Sequence, residues 1–448
     1  MSSTRASTRA RAGAGARLGR SLRHRAEALT GPAGRAAVVV GASLIVAYGL
    51  TRPAGTPVNR LGLALVAGSC ALLAPPWLLV AAVALSMRSL NLAPVAGPVT
   101  VADVLIGVYI ARRAWVLLSE RRLRFGGPVT WLLLFLGWAW LCTVFSGVGT
   151  TPLQRLTLYG ALCAVLAADR ALDKRALYGF FCAFAVIEVA WSIPSQGSSR
   201  LIGLHIGDPH QLSLLAMAGL APLVAGALRP RGWRVLVVLL VMGVLLARSR
   251  GPIVAMGAML ALPLLGALTR RKVATLMALL VVGGAALYGP ATQAFDLNPA
   301  SREFREVSIE RGLRAGLSSP LFGKGWSANL PTDPEEAAAR RAQNRAFASD
   351  VQPYNLLVST FAFTGVPGVL LLGAFLASSM HTMIGRDRTG VLFATAFLTL
   401  SVAEMTLYAQ SLGTVLFFIY VGLGLRAPTE LDEDHPTVGP TTGRRALR

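Results

Sequence analysis

The sequence predicts an all-α protein: a polytopic transmembrane helix bundle of twelve to fourteen helices, both termini cytoplasmic, with one large extracytoplasmic helical loop. Three observations carry this expectation. Apolar residues make up 54% of the 448-residue chain and charged residues 14%, against roughly 25% charged in average globular proteins. Apolar stretches close to the roughly 20 residues needed to cross a bilayer recur along the chain. The short basic loops between them fall consistently on one side. With a mean hydropathy of +0.57, a large soluble enzyme and a disordered chain are excluded. Four cysteines in this length exclude a disulfide-rich secreted scaffold. The formal net charge of +22 asks for anionic headgroups, an anionic substrate or nucleic acid.

Taken in order, residues 1–35 hold eight arginines and one acid, Glu27, and read as a basic cytoplasmic arm that acts as a topology signal. No small-residue cleavage site follows Leu50, so the first helix is expected to be retained. Apolar stretches follow at 36–51, 60–75, 76–93, 99–119, 128–147, 153–168, 175–193, 210–228, 233–248, 251–268 and 273–290. They form a bundle of about eleven helices over 36–290. Stretches 76–93, interrupted by Arg88, and 153–168 are the weakest. Three more, 355–380, 389–407 and 410–425, form a C-terminal helical region over 355–426. Alternation places Arg112, Arg113, Arg121, Arg122, Arg124, Lys174, Arg175, Arg229, Arg231, Arg234, Arg270, Arg271, Lys272, Arg386 and Arg388 inside. That placement accounts for most of the charge without nucleic acid. Residues 427–448 read as a disordered cytoplasmic tail. Cys70, Cys142, Cys163 and Cys182 fall within apolar helices and read as small buried hydrophobes.

The long polar excursion, 291–354, is expected outside, with eight basic and eight acidic residues. Ser301 to Leu317 reads as an amphipathic helix with Phe304, Ile309, Leu313 and Leu317 apolar. Asp333-Pro334-Glu335-Glu336 reads as the start of a second helix, with Arg340, Arg341 and Arg345 toward its end. Between them, the segment from Pro320 to Trp326 is a Gly-rich turn. The segment reads as a helical cap over one mouth of the bundle.

Ionisable residues in or near hydrocarbon are costly and mark candidate sites. Those not explained as inside flanks are Arg88, Asp103, Arg155, Glu188, Arg200, His205, Asp208, His210, Arg248, Arg250 and Glu404. All are expected toward the outer ends of their helices, which suits a site at one face better than a path through the bilayer. Arg248-Ser249-Arg250-Gly251-Pro252 places two arginines at an outer helix junction, against the positive-inside rule. Arginine's planar fork matches phosphate oxygens, so a phosphate or pyrophosphate clamp is one reading and snorkelling to headgroups the other. Arg302 and Arg305 share a face of the loop helix, and Arg311 and Arg314 repeat the spacing; Glu303, Glu306 and Glu310 are possible local partners. His205, Asp208 and His210 lie in one outer loop and suit general acid/base work, substrate hydrogen bonding or helix capping better than a metal. His24, His381 and His435 are expected inside. Asp103 suits the N-terminus of its helix. No phosphate-binding loop, zinc-protease motif or dinucleotide fingerprint occurs, so no cofactor is expected and a membrane-borne donor is favoured.

Four segments resemble the O-antigen ligase/polymerase superfamily of bacterial envelope glycosyltransferases. They are Leu246-Ala-Arg-Ser-Arg-Gly-Pro-Ile-Val-Ala255, Ser301-Arg302 with its helix, Pro320-Leu-Phe-Gly-Lys-Gly325, and Tyr354-Asn-Leu-Leu-Val-Ser-Thr-Phe-Ala-Phe-Thr-Gly365. Their order and spacing agree over roughly residues 200–380. The resemblance implies a GT-C-like fold in the bacterial plasma membrane. It also implies metal-independent transfer of a glycan, on the outer face, from a polyprenyl-pyrophosphate donor to an envelope lipid or glycan acceptor. Arg250 and Arg302 would hold pyrophosphate, with Arg305 a second candidate for the loop role. Arg248, Arg200, His205, Asp208, Lys324, Asn355, Glu188 and Glu404 would contribute to substrate binding. The family's histidine falls at Tyr354, whose hydroxyl is a poor base near neutral pH. Asp350, His205 or His210 would then be candidates to activate the acceptor. A transporter or flippase of a lipid-linked or small anionic substrate is the alternative, and a membrane scaffold without chemistry a third reading.

Overall fold

A computed structural model of the chain describes residues 74–87, 94–96, 99–120, 126–196, 201, 203–204, 206, 208–264, 271, 275, 299–328, 330, 353, 355–403, 407 and 411–426. The basic arm, the expected span at 36–51, that at 60–75 except its last two residues, the loop helix opening at Asp333 and the C-terminal tail lie outside the described residues. So does the span at 273–290, apart from one position. The chain divides into two compact units, residues 1–112 and 113–448.

In the first unit, helix α1 (Pro76–Ser86) starts on a proline, whose missing N–H costs nothing at that position. The sequence reading extended this helix to residue 93; the structure ends it at Ser86, with Met87 extended. Asn91, Pro94, Gly97 and Pro98 follow, residues that favour turns and bias the chain out of helix. Strands β1 (Pro94–Ala96) and β2 (Val99–Thr100) form a short antiparallel ribbon there. Helix α2 (Val101–Ser119) then begins two residues later than the apolar stretch does, and runs into the second unit. Its start is a capping arrangement. Asp103 Oδ2 accepts from the Thr100 amide (2.9 Å) and hydroxyl (2.8 Å), and Thr100 Oγ1 accepts from the Asp103 amide (3.3 Å).

The second unit holds α3 (Pro128–Ser146), α4 (Thr151–Ala168), α5 (Lys174–Gln196), α6 (Pro209–Val224), α7 (Trp233–Leu246), α8 (Arg250–Leu264), α9 (Pro299–Ser318), α10 (Leu356–Ile384), α11 (Arg388–Ala403) and α12 (Leu412–Leu425). Among the described residues the fold is therefore all-α, with twelve helices beside the one small ribbon. Among the described residues, three helices are long and apolar enough to cross a membrane: α3, α5 over Lys174–Pro194, and α10. Others are apolar but shorter, among them α6, α7, α8 and α12.

Small residues set the packing distances, as they do between helices in lipid. A side chain at Gly219 of α6 would press on Ala185 and the Cys182 backbone of α5, and one at Gly422 of α12 on the Cys163 carbonyl of α4. Cys142, Cys163 and Cys182 are buried as free thiols, the last two within these contacts. Helix α10 packs on α3, α8 on α11, and α4 on α12.

Helix α9 corrects the amphipathic reading. Its buried line is Ser308, Gly312 and Gly316, and Leu313 and Leu317 are 43% and 70% exposed. A Cβ at Gly312 would come within 2.6 Å of Val358 Cγ1, and one at Gly316 would meet the Phe361 ring. Close approach of the α9 and α10 backbones, not burial of leucines, docks this helix. Leu313 instead lines an open apolar groove of about 260 Å³ with Leu357, Val358, Phe361, Val366, Val369 and Leu370.

One set of helix ends in the second unit is cross-tied by charge. Arg113 donates from Nε and Nη2 to Asp169 at 2.7 and 2.5 Å. Lys174 Nζ lies 2.7 Å from Asp387 Oδ2, which also accepts from the Tyr178 hydroxyl at 2.8 Å. Arg386 donates to the Leu425 carbonyl (3.0 Å), and Arg426 to those of Leu172 (2.6 Å) and Asp169 (3.4 Å). These residues close α4, α10 and α12 and open α5 and α11.

Candidate functional site

The opposite helix ends gather most of the described candidate residues. Helix α6 begins at Pro209 behind Asp208, whose Oδ1 accepts from the His210 and Gln211 amides at 2.7 and 3.3 Å. Of the roles open to Asp208, the geometry shows capping. Gln211 Oε1 accepts from the Gly413 amide at 2.9 Å and so joins the starts of α6 and α12. Ser411 caps α12 by accepting from the Thr414 amide.

The junction of α7 and α8 meets α6 at the same place. Ser249 is buried (4% exposed), and its Oγ lies 3.0 Å from Nδ1 and 3.3 Å from Nε2 of half-buried His210. Arg248 precedes it in the left-handed region, φ 49°, a conformation that costs a side-chain-bearing residue about 1–2 kcal/mol. Such outliers persist where the surroundings over-determine them, often at functional sites. Arg250 is the first residue of α8, where backbone amides and the helix dipole favour an anion. Arg248 and Arg250 are both exposed. Glu188, near the end of α5, is fully buried. Its carboxylate sits against Gly203, where a Cβ would collide with Oε2, and the Gly203 amide donates to the Ile206 carbonyl at 2.6 Å.

Asn355 is engaged on both sides of its amide. Oδ1 accepts from the Leu357 and Val358 amides at 2.9 and 3.1 Å, capping α10, while Nδ2 donates to the Val402 carbonyl of α11 at 2.8 Å. This geometry positions α10 against α11. Arg302 and Arg305 lie in the first turns of α9, one turn apart and so on one face; their side chains are outside the described residues. Tyr354, Asp350, Arg200, His205, Glu404 and Arg88 also lie outside them. Arg155 is half-buried in the first turn of α4. Arg314 pairs with Glu310 at 2.6 Å, exposed, as the local-partner reading expects.

The Gly-rich turn has a role that its sequence did not disclose. Helix α10 breaks at Gly365 (φ 68°), which frees carbonyls that need partners. The turn supplies them. The Lys324 amide donates to Ala362 (2.8 Å), the Gly325 amide to Phe363 (3.0 Å), and the Val366 amide to the Pro320 carbonyl (2.8 Å). Trp138 Nε1 donates to the Thr364 carbonyl at 2.8 Å, and Thr143 Oγ1 accepts from the Trp326 amide at 2.9 Å. Phe322 stacks on Trp138, ring centroids 5.4 Å apart. Gly323, φ 65°, lies directly on the Phe363–Thr364 peptide. Lys324 itself is exposed. The turn and the broken helix thus interlock through their backbones. Ser249, Gln211, Thr143 and Trp138 were not among the residues singled out from sequence. The only signal for the interlock was the repetition of glycines at 323, 325 and 365.

Residues 235–373 match the family model described as O-antigen ligase. The matched segment covers most of α7, all of α8 and α9, the Gly-rich turn, Asn355 and α10 beyond its break. No curated protein matches the chain. The match, read with the three helices long and apolar enough to cross a membrane, supports an integral membrane protein similar to a glycan-transferring ligase/polymerase family. Over residues 235–373, a minority of its length, the chain is similar to the O-antigen ligase family, and this supports the likeness to the O-antigen ligase/polymerase superfamily.

Proposed function

We propose that the protein transfers a glycan from a polyprenyl-pyrophosphate donor to an envelope lipid or glycan acceptor, on the extracytoplasmic face of the bacterial plasma membrane and without a metal ion. The observation that carries the reading is the position of Arg250. It opens α8 inside the O-antigen ligase match and sits one residue from the Ser249–His210 contact. In the reaction, the acceptor hydroxyl oxygen bonds to the anomeric carbon as that carbon's bond to pyrophosphate oxygen breaks. Negative charge grows on the leaving pyrophosphate. A guanidinium carried at a helix N-terminus stabilises that charge. Arg302 or Arg305 supplies a second guanidinium from α9. Residues 291–354 form the cap that orients the acceptor, between helical regions 36–290 and 355–426.

The test uses the purified protein in lipid discs with a polyprenyl-pyrophosphate glycan and candidate acceptors. Release of polyprenyl pyrophosphate should occur in the presence of chelator. It should fall about 100-fold or more in Arg250→Ala and Arg302→Ala, the scale of losing one charge-stabilising group. Intact donor with protein-dependent exchange between leaflets would overturn the enzyme reading in favour of a flippase.

A further inference from the structure

We infer that His210 accepts the proton of the acceptor hydroxyl, and that Ser249 is the positioning residue that holds its ring. The inference rests on the glycan-transfer reading. A hydroxyl that becomes a glycosidic oxygen must give up its proton, and the groups at the Arg250 end differ sharply in their capacity to take it. Arg248 and Arg250 cannot serve as bases. The Asp208 oxygen nearest the chain holds the first amides of α6. Glu188 is fully buried against Gly203. Helices α11 and α12, which also pack on α6, bring no titratable side chain to this end among the described residues. His210 is half-buried, stands on the second residue of α6, and contacts the residue that precedes Arg250.

The Ser249 hydroxyl provides an independent observation. A serine immediately before a helix ordinarily turns its oxygen to that helix's first amides. Here the Ser249 carbonyl accepts from the Ile253 amide at 3.2 Å, while the hydroxyl crosses to the imidazole of another helix. It lies closer to Nδ1 than to Nε2. The hydroxyl can donate or accept, so it holds the ring in place without itself setting the tautomer. A buried hydroxyl committed in this way is the arrangement of a base and its orienting group.

The step balances. The acceptor oxygen's electron pair forms the bond to the anomeric carbon, and the pair of the broken bond leaves on pyrophosphate. The hydroxyl proton passes to the imidazole and from the imidazolium to solvent. No oxidant, reductant or further reactant is needed.

The experiment measures donor turnover from pH 5 to pH 9 for wild type, His210→Asn and Ser249→Ala in lipid discs, with donor binding measured separately. Wild-type kcat/KM should fall toward acid pH, as expected of a reaction that needs a general base. His210→Asn should bind donor as wild type does, lose about 100-fold or more in kcat, and lose the acid limb. Ser249→Ala removes only a hydroxyl; it should lower kcat less and displace the acid limb. No turnover by wild type would overturn the transfer reading itself. Wild-type turnover with His210→Asn within threefold, or with a loss confined to KM, would overturn the role of His210 and leave transfer standing. If His210→Asn does not fold, an acid limb unmoved in Ser249→Ala overturns the assignment.

Discussion

Replacing Gly323 with alanine tests the interlock between the Gly-rich turn and the broken helix. The added Cβ would lie 2.5 Å from the Thr364 amide nitrogen and 2.6 Å from the Phe363 carbonyl oxygen, and closer still to the carbonyl carbon. All three atoms are backbone, so no side chain can swing aside. The residue also sits at φ 65°, which costs alanine about 1–2 kcal/mol relative to glycine. Three backbone hydrogen bonds cross the contact, each contributing about 1 kcal/mol net. Losing two of them with the strain gives a loss of about 3–4 kcal/mol, a large share of a typical stability of about 5–15 kcal/mol. Thermal unfolding in detergent and amide exchange over 319–327 and 360–367 would read it. Gly373→Ala, in the same helix with nothing within 4 Å of its added carbon, is the control. It should be neutral or stabilise by about 0.5–1 kcal/mol. If Gly323→Ala melts and exchanges like wild type, the interlock does not hold the Gly-rich turn against α10.

Two further outcomes are expected. Asp169→Asn leaves Arg113 with a weakened partner in a site where Asp169 is fully buried; breaking such a pair should cost about 3–5 kcal/mol, seen as a lower unfolding midpoint, and an unchanged midpoint would show that the pair contributes nothing net. Arg248→Gly relieves a left-handed arginine and should raise stability by about 1 kcal/mol. Donor affinity measured on the same variant should fall, and an unchanged affinity would remove Arg248 from the pyrophosphate site.

The apolar helices were legible because runs such as 128–146 can satisfy their backbones in hydrocarbon only as helix. The stop at Ser86 was less so, since the turn-forming residues come several positions after the helix ends. Helix α9 shows where soluble-protein periodicity misleads. Leu313 and Leu317 mark a buried face only if the surroundings are water; the docked face is instead the pair of glycines four residues apart. At the candidate site, sequence singled out His210 and Arg250 as costly residues near hydrocarbon, but not the serine between them in space. Ser249 carries no charge, and its partner lies 39 residues away. The acids at Asp169 and Asp387 were readable only as exceptions among basic flanks; geometry pairs them with Arg113 and Lys174.

The charged ties at the other helix ends have a consequence for biosynthesis. Tyr178 and Asp387 are 209 residues apart, and Arg426 reaches the Asp169 carbonyl across 257. At about 5–20 residues per second, the early partners wait roughly ten to fifty seconds for the late ones to leave the ribosome. During that interval the start of α5 and the end of α4 hold polar groups with no completed tie to α11 and α12. A chain halted before Arg426 would keep its long apolar helices and still lack the last fastener. Closure of these ties thus depends on the arrival of Arg426, not on insertion of the first helices.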